Sequence, residues 1–183
     1  MKAKNQTPRY IAAALLAVTI LILARGSVSA AERVGTYDSR LVAFAAFWDD
    51  AHQARLQALT REARAAKEQG NLPRYQSLAK ELSAHQHDLH MQVFSTAPID
   101  EVLAGLKDHL PALQREAGVS RLVSQWDEVA LAGVPDADRI DVTDRLVKEF
   151  HLPADKLRQL GQLKTATPLP LDRAREMSRK NQL

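Results

Sequence analysis

Two apolar seams separated by one short turn constrain this chain more than any other feature of its sequence. In residues 41–69, Phe44, Trp48, His52, Leu56, Leu59, Ala63 and Ala66 recur three and four apart, and in residues 74–92 Tyr75, Leu78, Leu82, His85 and Leu89 do the same. That is the period with which a helix buries a single stripe. Between the seams lies EQGNLP, where Gly70 and Asn71 tolerate turn geometry and Pro73 suits a first helical turn. The pattern predicts two long helices folded back as an antiparallel hairpin, an arm over residues 41–94 of roughly 30–40 Å.

The N-terminus has the order basic, apolar, small. Lys2, Lys4 and Arg9 precede 14 apolar residues from Ile11 to Ala24, and Val28-Ser29-Ala30 follows. This predicts an export signal over residues 1–30 and a periplasmic mature chain. The apolar run is shorter than the roughly 20 residues of a membrane span. Arg25 interrupts the approach to the cleavage site and keeps an uncleaved anchor open as the alternative. The whole chain is formally +3, and loss of Lys2, Lys4, Arg9 and Arg25 leaves the mature part near −1. That argues against a nucleic-acid partner, which would want a net basic surface. Cysteine is absent, so disulfides, thiol nucleophiles and thiolate metal sites are excluded.

RVGTYDSR (33–40) predicts a lone strand in front of the arm, and a lone strand must find partners for its backbone groups. After the break at STAP (95–98), a helix lined by Ile99, Val102, Leu106, Leu110 and Leu113 kinks at Pro111 and stops at Gly118. VSRLVSQW (119–126) and EVALAG (128–133) read as two further strands, and DVTDRLVKEF (141–150) as a short helix capped by Asp141 or Thr143. The expected fold is mostly α with a small antiparallel β-sheet (α+β), the hairpin standing on a small oligomerising β body. Residues 31–155 form the expected single domain, and residues 156–183 an extension that is partly disordered.

The basic residues Arg61, Arg64, Lys67 and Arg74, with Leu72 and Tyr75, gather at the hairpin tip as candidates for client or membrane-surface contact. An ordinary solvated helix face is the plainer alternative. His52, His87 and His90 are the nearest approach to a nitrogen metal site, but histidines in an apolar seam more often pack than ligate. Asp49, Asp50 and Asp88 are expected to be surface acids. The chain shows no nucleophile elbow, phosphate-cradling glycine loop or HExxH run. The reading is of a non-enzyme without a cofactor. Val34, Tyr37, Trp48, Val123, Trp126, Thr143 and Leu146 are expected to be structural or to line a subunit interface.

The order of these elements resembles the Skp/OmpH-like family of periplasmic chaperones. RVGTYDSR is similar to that family's first strand, EAGVSRLVSQWDEVALAG to its helix end and following strands, and Asp141, Val142, Thr143 and Leu146 to its D-[IV]-T-x-x-[VL] helix. The resemblance covers about residues 33–152. It implies a trimer in which small sheets form a central body and hairpins enclose unfolded outer-membrane proteins. The short arm, its break at Pro98 and its weakly charged tip depart from that pattern. Two functions follow: an ATP-independent periplasmic holdase for unfolded outer-membrane or envelope proteins, or an envelope structural or interaction protein with a coiled-coil hairpin, membrane-anchored if the signal is retained.

Overall fold

The computed structural model describes residues 32–180. The expected export signal over residues 1–30 and the alternative anchor lie outside the described residues. The elements run β1 (Val34–Tyr37), α1 (Ser39–Trp48), α2 (Asp50–Glu68), α3 (Leu72–Phe94), α4 (Asp100–Gly105), α5 (Leu110–Ala117), β2 (Arg121–Ser124), α6 (Glu128–Leu131), a single 3-10 turn (Asp136–Asp138), β3 (Arg139–Asp141), α7 (Thr143–Lys148), α8 (Ala154–Leu163) and α9 (Leu171–Arg179).

The lone strand finds its partners on both sides. The sheet has the order β2-β1-β3, and both pairings are parallel. The expected antiparallel sheet is therefore wrong, and the sheet is open rather than closed. The physical reason lies in the connections. A helix follows each of β1 and β2, so the chain has travelled back before the next strand begins and enters the sheet from the same end. The segment 128–133 is not a strand. Asp127 Oδ1 accepts the Ala130 amide at 2.9 Å and caps α6 there. The third strand comes later, from Arg139–Asp141, a stretch split between loop and helix in the sequence reading.

The ladder continues past the strand ends. The Gln125 amide donates to the Tyr37 carbonyl and the Val142 amide to the Thr36 carbonyl, both at 2.8 Å. With β1 central, the open edges of the sheet are those of β2 and β3. The two faces of β1 have different duties. Val34 packs with Val123 and Leu131 beneath α6. Tyr37 joins the main core with Leu41, Val42, Ile99, Leu113, Leu146 and Leu160. Gly35 lies on the Tyr37 face, where a Cβ would come within 2.8 Å of Leu122 Cδ2. Only a glycine admits that approach without moving Leu122.

The expected single helix over 41–69 is divided at Asp49. That residue closes α1 and its carboxylate accepts the Ala51 and His52 amides at the start of α2. Beyond it, α2 and α3 pack along Ala63, Ala66 and Leu78, which are buried, while most other tip-side residues are exposed. The C-terminal extension carries α8 and α9. Leu160 belongs to the main core, and Ala174 is buried with Met91 and Ala97 in a smaller cluster. Thr96 Oγ1 accepts the Leu171 amide at 3.1 Å and holds the first turn of α9.

A cleft at the foot of the helical arm

The division at Asp49 has a geometric consequence. It separates the core helix α1 from the arm helix α2 and leaves an open cleft of about 920 Å³ at the junction. One wall is formed by Phe47, His52, Leu56 and Thr60, the opposite one by Leu82, His85, Leu89 and His90 of α3. Val102 and Leu106 of the α4 region, with Glu149 and Phe150 after α7, complete it on the body side. Leu56, Leu82 and Leu89 are seam residues, whereas Phe47 and Phe150 lie outside the seams. Near the turn the seam closes on alanines; near the body it opens, and larger residues line the gap.

The lining is also ionisable. Asp49, Asp88, Glu101 and Glu149 face Arg55 and the three histidines. Burial, His85 and Arg55, in that order, hold His52 below its ordinary pKa, against an opposite pull from Asp49. Phe47 meets the His52 ring edge-on at 5.9 Å. Glu149 is bound to His109 at 2.7 Å. Asp49 is engaged in capping. The cleft thus offers apolar contact with polar groups around it, the make-up of a surface that takes up a ligand.

Behind the cleft, α1 is locked to the sheet by a buried polar network at the end of β1. Arg40 is 2 % exposed, and its Nη2 and Nε donate to the two oxygens of Asp38 at 2.8 and 3.1 Å. The Trp126 Nε1 donates to the same carboxylate at 3.2 Å, and the indole lies 5.0 Å from the Arg40 guanidinium. The Asp38 amide donates to Thr143 Oγ1 at 2.9 Å, and Arg40 Nη1 to the Ala166 carbonyl at 2.5 Å. These groups satisfy one another and fix β1, α1, α7 and the α8–α9 link together. Tyr37, beside them, has its hydroxyl pushed up to about 12, first by burial and then by Asp100 and Asp127. It stays protonated at neutral pH and supplies no base.

The sequence-predicted residues fall in three places. At the tip, Arg74 Nε donates to Glu62 at 2.9 Å, and Lys67 Nζ lies 5.5 Å from the Tyr75 ring centroid. Leu72 is 58 % exposed, and Arg61 and Arg64 are exposed. Val34, Tyr37, Val123, Thr143 and Leu146 are buried in the body. Trp48 packs on Phe44 at 4.1 Å beneath Lys156, and Trp126 serves the Asp38–Arg40 pair. Of His52, His87 and His90, the first and last line the cleft, while His87 faces Ser178 of α9. Among the described residues no group of three His, Cys, Asp or Glu is placed to hold a metal ion, and no helix is long and apolar enough to cross a membrane. Sequence reasoning missed Phe47, Glu101, Glu149 and Phe150 in the cleft, and Arg40 behind it. The paired aspartates after Trp48, an N-cap signal in mid-helix, were the available hint. No family model, curated protein or solved structure matches this chain.

Proposed function

We propose that the exported chain is an ATP-independent holdase of the periplasm, sheltering a segment of a non-native outer-membrane or envelope protein in the cleft at the foot of the arm. The observation that carries this reading is the cleft, which is open and is lined by Phe47, Leu56, Leu82, Leu89 and Phe150 among polar groups. An open apolar trough suits an extended side-chain-bearing segment better than a small molecule, which prefers enclosure. The reading involves no covalent chemistry. It also requires no second subunit, because one chain supplies every wall.

The test is suppression of aggregation. A urea-unfolded outer-membrane β-barrel protein is diluted into buffer with the purified protein, and turbidity is followed. The wild type suppresses turbidity at near-stoichiometric ratios, and Phe47→Gln loses most of that effect while keeping its helical circular dichroism. A wild type that leaves turbidity unchanged, or a Phe47→Gln variant as effective as wild type, contradicts the reading.

A further inference from the structure

The arm is divided by charge as well as by packing. Its tip, over residues 61–75, holds Arg61, Arg64, Lys67 and Arg74 against Glu62 and Glu68. Its foot has the opposite balance: Asp49, Asp88, Glu101 and Glu149 line the cleft, against Arg55. From this complementarity we infer that the cleft selects apolar segments that carry lysine or arginine, and discriminates against acidic ones. The inference rests on the holdase reading of the cleft and names its client class.

The physical case is one of charge on a low-dielectric wall. Asp49 and Glu149, half-buried near Phe47 and Phe150, are less screened than the same groups on an open surface. A cationic side chain entering there gains attraction, while a carboxylate entering meets several like charges at once. Such arrangements govern which partner is accepted more than how tightly the apolar part binds. Asp88 and Glu101 are exposed on the cleft rim and are the two acids not committed to the cap at Asp49 or to the His109 contact of Glu149. They are the natural points of attack.

Two fluorescent peptides with the same leucines and tyrosines, one with lysine and one with glutamate at two positions, are titrated into the full chain by anisotropy. At low salt the lysine peptide binds about tenfold tighter, and salt at several hundred millimolar erodes the gap. In Asp88→Asn/Glu101→Gln the gap narrows to about threefold or less, because part of the like-charge wall is gone. Equal binding of both peptides, each lost in Phe47→Gln, overturns the charge selection and leaves the cleft reading standing. Tighter binding of the glutamate peptide, or a gap that the double variant leaves intact, also overturns the selection. If neither peptide binds, the selection and the cleft reading fall together.

Discussion

Replacing Arg40 by methionine tests how the cleft's supporting wall is held. Methionine keeps the apolar stem and removes the guanidinium. Asp38 then loses the 2.8 and 3.1 Å bonds from Arg40 and keeps the Trp126 indole and one backbone amide. Its carboxylate stays buried with its main counter-charge gone. Removing one partner of a buried pair costs about 3–5 kcal/mol, a large share of the roughly 5–15 kcal/mol that holds a domain together. At about 2–4 °C per kcal/mol for a chain of this size, Tm falls by about 6–20 °C. Urea unfolding followed by circular dichroism and by tryptophan fluorescence gives the free energy. In Asp38→Asn/Arg40→Met the stranded charge is absent, so the double variant is more stable than the sum of the single losses requires, by about 1–3 kcal/mol. Arg40 also donates to the Ala166 carbonyl, so the single variant should be cut earlier by protease in residues 164–170. A loss under about 1 kcal/mol, with no coupling to Asp38, would refute the claim that this pair locks α1 to the sheet.

Two further outcomes follow from single contacts. His52 is held below its ordinary pKa in the folded chain, so the unfolded chain binds more protons as pH drops below about 6.5; its contribution is complete above that value and declines as pH falls through the folded pKa. Thermal melts should show a lower midpoint at pH 5 than at pH 7.5, and His52→Gln should reduce the difference; a difference unchanged in the variant removes His52 as the cause. Thr96→Val deletes the hydroxyl that accepts the Leu171 amide, and at a cost of about 1 kcal/mol amide exchange in α9 should quicken several-fold with little change in α2. Unchanged exchange in α9 would show that the Thr96 hydroxyl does not hold that helix.

The arm was legible because its signal is periodic and long. Ala63, Ala66 and Leu78 lie at seam positions and are buried, and Gly118 ends α5 in the left-handed region as a helix-stopping glycine should. The sheet was harder to read. Four residues such as Val34–Tyr37 show that a strand exists but carry no information on the direction of its partners, which the intervening helices decide. EVALAG is apolar enough for a strand and equally good as one helical turn, and the choice fell to the Asp127 cap. Arg139–Asp141 has too few residues to alternate visibly. The cleft was hidden for a different reason. It arises from a break at one residue, Asp49, inside an unbroken seam, and its walls come from segments a hundred residues apart, Phe47 and Phe150 among them. A seam pattern shows which face is apolar. It does not show where two faces part.

Amide exchange of the full chain, measured with and without an unfolded outer-membrane protein, locates the contact directly. Protection gained around residues 47–60, 82–90, 101–106 and 149–150, with the tip at 61–75 unaffected, is the predicted result. Protection confined to the tip, or none at all while the client stays soluble, would contradict it.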